Sequence, residues 1–337
     1  MIESLPLHRL KKPSVLLALL SCAVFTLVLS PFIGAGQVLL KEVFTFPSAS
    51  VEHNIFWQMR LPRVLVGFLV GGILALSGMV FQSLFRNPLV SPFTLGVSAG
   101  ASFGAAVYIW LRFAFTIFGI SGTTVFSYLG ALVSIYFVWS LAKMKFGSSI
   151  SKMLLAGVAV SFFFVSLIMF IQYLSDYDQS VKISRWLMGG LYVFGYDTVR
   201  DMFFLAVIGL AAIFYFSHEL NLLTTGEEIA VSRGVDLKWT VKGLFLVISL
   251  MMGGIVSICG PIGFVDIIAP HVCRLLIGHD HRYLTPATFL LGGAFLVLCD
   301  TFARTIAAPA EIPVGVITAL LGGPFFLWLL RGRGNDG

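Results

Sequence analysis

Charge is scarce in this chain. Asp, Glu, Lys and Arg together make up 11% of its 337 residues, while 58% are hydrophobic. The mean hydropathy of +0.96 is far above the value typical of a soluble domain. No polar segment is long enough to fold as a separate soluble domain. We therefore expect residues 1–337 to form a single membrane domain.

The chain also lacks the motifs of common enzyme classes. It contains no GxxxxGK[ST] phosphate loop and no HExxH zinc motif. Aspartate pairs of the kind that hold Mg²⁺ on a lipid-linked pyrophosphate are missing too. Without a phosphate loop, any use of ATP must take place on another polypeptide. We therefore predict a protein that is not an enzyme, with no catalytic residue and no cofactor.

Metal-site patterns are missing as well. Four cysteines lie in or at the ends of apolar runs without CxxC spacing: Cys22, Cys259, Cys273 and Cys299. This placement favours buried packing residues over a disulfide or a metal site. Three histidines fall within eleven residues, at His271, His279 and His281. No cysteine or carboxylate cluster completes a coordination set around them, so we predict no metal site.

What the chain has in abundance is apolar runs of transmembrane length. A helix of roughly 17–25 residues crosses the hydrocarbon layer of a bilayer, and such runs recur with short polar breaks. We predict an all-α polytopic membrane protein with about ten transmembrane helices. The predicted spans are 14–36, 61–81, 93–112, 118–142, 153–174, 200–216, 240–259, 262–277, 285–303 and 313–331.

The distribution of Lys and Arg predicts the orientation. With ten spans both termini lie on one side, and most of the basic residues fall on that side. The positive-inside rule therefore places the N- and C-termini in the cytoplasm. This asymmetry accounts for the formal net charge of +6, so no nucleic-acid partner is predicted.

Two segments on the predicted cytoplasmic side interrupt the apolar sequence. Prolines at both ends of Pro88–Pro92 forbid a continuous helix and predict a tight connector, followed by small residues that allow close helix packing. The longest polar stretch, 217–242, contains a predicted short helix with Thr225 as N-cap and Gly234 at the left-handed C-terminal position. A docking surface and an ordinary solvated helix both fit this pattern.

Three long motifs follow one another in a fixed order. They are GMVFQSLFRNPLVSPFTLGVSAGAS (Gly78–Ser102), GPIGFVDIIAPHVCRLLIGHDHR (Gly260–Arg282) and DTFARTIAAPAEIPVGVITALLGGPFFLWLL (Asp300–Leu330). With RLPR at Arg60, they resemble the permease family of bacterial ABC importers for iron–siderophore complexes, haem and vitamin B12, the FecCD/BtuC-like or type II importers. The similarity runs from Arg60 to the C-terminus and implies a BtuC-like permease fold in the bacterial inner membrane.

The resemblance implies an assembly as well as a fold. Such permeases are homodimers that work with two ABC ATPase subunits on the cytoplasmic side and a periplasmic substrate-binding protein outside. The fifth and tenth transmembrane helices would line the translocation path. Members of the family carry ferric siderophores, haem, cobalamin or, in one branch, molybdate and tungstate. No residue that we can identify separates these cargoes.

The resemblance also implies roles for particular residues. It implies that three arginines on the predicted outer side bind the binding protein: Arg60, Arg63 and Arg304. Snorkelling of their side chains to lipid phosphates is the alternative explanation for these charges. Coupling to the ATPase falls to residues of the polar stretch: Gly226, Glu227, Glu228, Ala230, Arg233 and Gly234. The cytoplasmic gate falls to two turns: Asn87 and Leu89, with Ile150 and Ser151.

Asp266 departs from the family pattern, which usually has glycine at this position of GFVDII. We expect its carboxylate to pair with a nearby arginine or to face a water-filled cavity, with pairing favoured, and we assign it no transport role. An ion-gradient-driven secondary transporter is the alternative function. It would require paired carboxylates inside the membrane, and only Asp266 and Asp300 come close to that depth.

Overall fold

The computed structural model describes residues 12–34, 43, 51–117, 120–142 and 150–333. Within these residues fourteen α-helices follow one another: α1 Lys12–Leu29, α2 Val51–Asn54, α3 Leu61–Leu84, α4 Val97–Trp110, α5 Gly122–Ala142, α6 Ile150–Leu174, α7 Tyr177–Leu187, α8 Asp197–Tyr215, α9 Ser217–Thr225, α10 Glu227–Ser232, α11 Leu237–Cys259, α12 Val265–Ile277, α13 His281–Ile306 and α14 Val314–Arg333. The strands β1 Thr116–Ile117 and β2 Ile120–Ser121 form a small antiparallel pair.

The prediction of an all-α polytopic membrane protein is confirmed. Each of the ten predicted spans overlaps one helix, namely α1, α3, α4, α5, α6, α8, α11, α12, α13 and α14. Seven helical segments of the described residues are long and apolar enough to cross a membrane, and α4 and α14 contribute two shorter apolar helices. Helix α12 is not among these candidate spans, because it has only thirteen residues and carries charged side chains.

Helix α3 forms the centre of the bundle, and glycine allows its neighbours to approach. A Cβ atom at Gly71 would collide with the backbone of Gly292 in α13, and a Cβ atom at Gly292 would collide with that of Gly71. The same reciprocal contact joins Gly100 of α4 to Gly130 of α5. Backbones that touch in this way gain dispersion energy along the whole crossing, which lipid cannot replace.

The second predicted span begins at residue 61, inside RLPR, but the helical segment that contains it begins earlier, at Val51. Helix α2 leads into a π-helical turn, Ile55–Arg60, which continues into α3. The Leu61 N–H donates to the Phe56 carbonyl, five residues back, and Pro62 follows without an N–H of its own. The wider turn accommodates the proline inside a continuous helical segment.

Two further expectations need correction. Helix α7, an amphipathic helix capped where the Asp176 carboxylate accepts from the Gln179 N–H, lies between the fifth and sixth spans and was not predicted. The cysteines are all free; three are buried as expected, but Cys22 is exposed because it lies on the outer surface of α1.

The two ends of the bundle carry different polar chemistry. The connector face contains the irregular segment Phe85–Gly96, helices α9 and α10, and the loop Gly278–Asp280. The arginine face contains the N-terminal end of α3, the C-terminal end of α13 and Glu311.

Candidate functional site

An open cavity of about 850 Å³ lies between the connector and helices α12 and α14. Its walls come from the connector Phe85–Gly96, from Leu187 and Met188 at the end of α7, from the segment leading into α12, and from one face of α14. Most of the lining side chains are apolar, and Ser91, Thr94 and Asp266 supply the polar ones. No Lys, Arg or His side chain lines this cavity among the described residues.

Asp266 contributes to the cavity wall and is completely buried. Neither carboxyl oxygen has a hydrogen-bond partner among the described residues, although the Ser91 side chain lies beside the group. The predicted pairing with an arginine is therefore wrong. Arg274 is eight residues further along, about 12 Å away at ~1.5 Å of rise per residue, and it turns to α3 instead.

The cavity wall contains one unusual backbone position. Phe264, the residue before α12, has a φ of 69°, in the left-handed region that non-glycine residues rarely occupy. Its ring lies against α14 where a Cβ atom at Gly322 would overlap it. This backbone conformation places the Phe264 ring between α12 and α14. Strained backbone positions of this kind are often found at functional sites.

A buried polar network lies between the cavity and the connector face. The Arg274 guanidinium donates to the Gln82 side-chain oxygen and, at 3.2 Å, to the Met79 carbonyl. The Gln82 amide nitrogen in turn donates to the Asp266 carbonyl oxygen at 3.1 Å. Nearby, the Ser83 hydroxyl lies 2.8 Å from the His281 Nε2 atom. The network joins α3, α12 and α13, since each buried polar group needs a partner.

The network continues into helix α9. The Asn221 side-chain oxygen accepts from the His281 backbone N–H at 2.9 Å and lies 2.8 Å from the His281 Nδ1 atom. The Asn221 amide also donates to Asp280, whose carboxylate lies 3.6 Å from the Lys12 ammonium. Hydrogen bonds thus connect α1, α9 and the start of α13 to the interior of the bundle.

The connector holds the first pair of predicted gate residues. The Asn87 side chain accepts a hydrogen bond from the Leu89 N–H at 3.0 Å, an Asx turn that stabilises the break between helices. Leu89 lines the large cavity. Ile150 and Ser151 form the start of α6, but their side chains lie outside the described residues.

The predicted coupling residues form a compact hairpin of α9 and α10. Thr225 is the last residue of α9 and not the N-cap of α10, because its hydroxyl donates back to the Leu222 carbonyl. Gly226, with a φ of 136°, makes the turn. Gly234 has a φ of 87°, the left-handed conformation that glycine at a helix C-terminus favours.

One side of this hairpin is buried and the other is open. Ala230 is completely buried against Leu222, Leu223 and Val235. The remaining predicted coupling residues lie on its outer surface or at its turns: Gly226, Glu227, Glu228, Arg233 and Gly234. Glu227 lies 3.9 Å from Arg86 of the connector, an exposed and weak ion pair.

The three predicted docking arginines lie together on the arginine face, around Asp300. Arg63 forms an ion pair with Asp300 at 2.9 Å and a second with Glu311 at 2.7 Å. Arg304 lies 3.1 Å from the other Asp300 oxygen. Arg60 donates to the Pro31 carbonyl at 3.4 Å. Arg60 and Arg304 are 8% and 4% exposed, so most of their surface contacts protein.

Sequence reasoning missed the polar network. Gln82 and Asn221 were not singled out, and His281 was considered only as a metal ligand, whereas it is completely buried in this network. The available signal was the presence of Gln82, Arg274 and His281 inside the long motifs, in otherwise apolar surroundings. A polar residue in such surroundings needs a partner, but the sequence does not identify that partner.

A bundle of this kind, with an open and mostly apolar cavity between its helices and polar elements at both ends, is that of a membrane transport protein. The model of the FecCD transport family matches residues 22–332. The chain belongs to the FecCD transport family, and it is a permease subunit of an ABC importer.

Two relatives show the range of this similarity. The cobalamin import system permease protein BtuC of Halobacterium salinarum is 41% identical over 279 residues, which are 83% of this chain and 74% of that protein. The molybdate import system permease protein MolB of Haemophilus influenzae is 35% identical over 327 residues, which are 93% and 94% of the two chains.

A solved structure supports the fold over nearly the full length. An ABC transporter of metal-chelate type in an inward-facing conformation superposes with a TM-score of 0.81 and 33% sequence identity. The match covers 95% of this chain and 99% of the solved chain.

Proposed function

We propose that two copies of this chain form the translocation path of a binding-protein-dependent importer for a metal chelate. The observation that carries the proposal is the 850 Å³ cavity, which is bounded by the connector on one side and by α14 on the other. Among the described residues, its mostly apolar wall contains no cationic side chain that could hold a metal oxyanion. A chelate with apolar faces fits such a wall, so we favour this cargo over molybdate or tungstate.

Exposed apolar surface on two helices supports the homodimer. Phe162 and Met169 of α6 are 68% and 65% exposed, and Leu320 of α14 is 66% exposed. These helices correspond to the fifth and tenth spans, which the family resemblance places beside the path. Apolar exposure alone also suits lipid, so the support comes from its coincidence with the cavity wall on α14.

The connector face is assigned to the cytoplasm of the inner membrane, with both termini on that side. The Lys and Arg bias supports this assignment. The outer surface of the α9–α10 hairpin then contacts an ABC ATPase, through Glu228 and Arg233 and through the apolar Ile229, which is 46% exposed. The ATPase supplies the hydrolysis that this chain does not carry out.

The arginine face is assigned to the periplasmic binding protein. Among the described residues, Arg60, Arg63 and Arg304 lie there with two carboxylates, Asp300 and Glu311. Most of the charge on these arginines interacts with groups of the same chain. Docking would therefore use the electrostatic field that remains and the part of the Arg63 side chain that is exposed to solvent. Complementary charges of this kind speed and orient association.

Transport then follows from the movement of packed helices. Binding and hydrolysis of ATP in the partner displace the α9–α10 hairpin, and Asn221 transmits this displacement to α13 through its hydrogen bonds with His281. The gate at Asn87 and Leu89, with Ile150 and Ser151 opposite, opens or closes the cavity. The two states are biased by differential binding of nucleotide, as in any rigid-body switch.

Reconstitution tests the function. We expect the purified permease to hydrolyse no ATP, and to support uptake of a ferric or cobalt chelate into proteoliposomes only with its ATPase and binding protein. Transport of a chelate by the permease alone, driven by a proton or sodium gradient, would instead support the secondary transporter. Uptake of molybdate in preference to every chelate tested would refute the cargo assignment.

The coupling surface has a test of its own. Arg233→Glu reverses a charge on the exposed side of the hairpin without touching its buried side, so the permease should fold normally. We expect ATPase affinity to fall about threefold to tenfold, the effect of one to several lost surface pairs. Arg282→Glu, exposed on the same face but outside the hairpin, is the matched control. Equal effects of the two variants would mark α10 as an ordinary surface helix.

A further inference from the structure

A second, smaller cavity opens on the connector face. It has a volume of about 350 Å³, and eight of its ten lining residues have polar or charged side chains, unlike those of the large cavity. Four of its side chains carry or can carry positive charge: Arg86, His271, Arg274 and His279. Its walls come from the end of α3, the connector, α12 and the Thr224 position of α9. The cavity therefore lies where the gate connector meets the coupling hairpin.

Arg274 is the deepest cationic group of this cavity, and its partners are neutral. The guanidinium donates to the Gln82 amide oxygen, to the Met79 carbonyl and, at 3.5 Å, to the Ser83 hydroxyl. No carboxylate among the described residues lies within ion-pair distance of it. A guanidinium that is largely removed from water, with only neutral acceptors, retains a strong attraction for an anion.

The mouth of the cavity adds a second guanidinium and an imidazole. Arg86 has a φ of 46°, a left-handed conformation that is unusual for arginine, and only a loose 3.9 Å contact with Glu227. His279 lies at the other side of the mouth. Its pKa is lowered from the ordinary value of 6.5 by burial and, next, by the charge of Arg274. Near neutral pH the imidazole is therefore an uncharged N–H donor, and the positive charge comes from Arg86 and Arg274.

We propose that this cavity binds a tetrahedral oxyanion of the phosphate class, with Arg274 at its base and Arg86 and His279 at its mouth. The group can come from a phospholipid head group or from a free oxyanion in the surrounding solution. A bound oxyanion bridges the connector to α12 beside α9, and so holds the gate segment against the coupling hairpin. The binding does not depend on the proposed function; its effect on transport does.

Binding of radiolabelled sulfate to the full-length permease tests the proposal, because sulfate keeps its charge between about pH 5 and pH 8. We expect saturable binding of one sulfate per chain, measured by equilibrium dialysis at constant ionic strength in chloride. Arg86→Gln and His279→Asn, both at the exposed mouth, should each weaken binding about threefold to tenfold by loss of one charge-assisted hydrogen bond. Arg282→Gln, an exposed arginine outside the cavity lining, should bind like the wild type.

Arg274 requires a pair of variants, since its hydrogen bonds also support the fold. Arg274→Lys keeps the charge, and Arg274→Met removes it. We expect sulfate binding to persist in the lysine variant and to disappear in the methionine variant, with both checked for folding by gel filtration. Sulfate binding that is absent in the wild type, or that is the same in the mouth variants and in Arg282→Gln, would overturn the proposal.

Two further arms identify the source of the oxyanion. Native mass spectrometry of the delipidated permease with added phosphatidylglycerol should show one retained lipid that competes with sulfate if the head group is the occupant. Without such competition, the free oxyanion is the occupant. Complete displacement of sulfate by the ATPase partner, with no lipid or phosphate bound in the complex, would instead show that a protein carboxylate fills the cavity and would refute the proposal. All these readouts are independent of transport.

Discussion

Buried arginines are held in opposite ways at the two ends of this molecule. On the arginine face, Asp300 lies between Arg63 and Arg304, and Glu311 adds a second carboxylate. On the connector face, Arg274 has only neutral acceptors, from Gln82, Met79 and Ser83. Among the described residues, Arg63 and Arg304 therefore have carboxylate partners, whereas Arg274 has none.

This difference separates structural charge from charge that remains available. An arginine paired with a buried carboxylate contributes mainly to the fold, and removal of either partner leaves an uncompensated charge. An arginine with neutral partners keeps most of its attraction for an external anion. Before the structure was known, the arginine face was the expected site of binding. Among the described residues, Arg274 at the other end is a largely buried arginine without a carboxylate partner.

The largest expected effect comes from removal of the shared counter-ion. Asp300→Ala leaves Arg63 and Arg304 facing each other with Glu311 as the remaining carboxylate, so the free energy of unfolding should fall by about 3–5 kcal/mol. Unfolding of the purified protein in mixed micelles measures this loss. Asp197→Ala, which breaks an exposed contact with Arg200, should cost at most about 1 kcal/mol. Equal losses of unfolding free energy for the two variants would mean that Asp300 is as well solvated as the exposed Asp197.

A smaller loss is expected when the neutral partner on the connector face is removed. Gln82→Met keeps the side-chain volume but deprives Arg274 and the Asp266 carbonyl of one hydrogen-bond partner each, at a cost of about 1–3 kcal/mol. Gln172→Met, which removes a single 3.0 Å hydrogen bond to Ser184 between α6 and α7, is the control, at about 0.5–1.5 kcal/mol. A larger loss of unfolding free energy for Gln82→Met than for Asp300→Ala would contradict the difference that we infer between the two ends.

The docking proposal can be sharpened without disturbing the core of the cluster. Glu311 is half-exposed, so Glu311→Gln should release the outer side of Arg63 and leave the fold intact. If the arginine face receives an acidic binding protein, the association rate should rise about twofold to fivefold at low salt and lose this gain at high salt. Stopped-flow association measures the rate, and Asp197→Asn on the same face is the control. An unchanged rate would leave these arginines as structural groups.

The smallest expected effect is a pH dependence at the connector face. The folded-state pKa of His279 lies below its ordinary value of 6.5, because of burial and the Arg274 charge. The unfolded chain therefore takes up a proton first as the pH falls through 6.5, and stability should fall with it. The other groups around the imidazole are Arg86, His271 and Asp280. Unfolding at pH 7.5 and pH 5.5 should show a smaller decrease for His279→Asn than for the wild type.

Much of the fold could be predicted from the sequence, because it depends on local properties. The length of the apolar runs predicts the helices, and the prolines of Pro88–Pro92 predict the connector. The error at RLPR arose because proline at a helix start and proline after a π-helical turn have the same sequence pattern. Thr225 was misassigned because α9 and α10 meet at Gly226 without an intervening loop.

The candidate sites were predictable only in part. The residue types of the arginine cluster were identified, but not the fact that Asp300 lies between Arg63 and Arg304. Asp266 was expected to form an ion pair with an arginine, and it has no such partner among the described residues. In both cases the partner depends on how helices pack around one another, and side-chain type alone does not contain this information.

Hydrophobic length, charge bias and motif order by themselves determined the class of protein, the number of long helices and the family resemblance. Each of these is a property of a segment or of a linear order, and each is set by the energetics of placing backbone and charge in a bilayer. Only the tertiary structure decided which polar groups meet. The bond between Gln82 and the Asp266 carbonyl joins residues 184 positions apart, and it forms because glycine at Gly78 lets α3 touch the start of α12. Contacts of that separation depend on the complete packing of the bundle, in which every buried donor must find its acceptor.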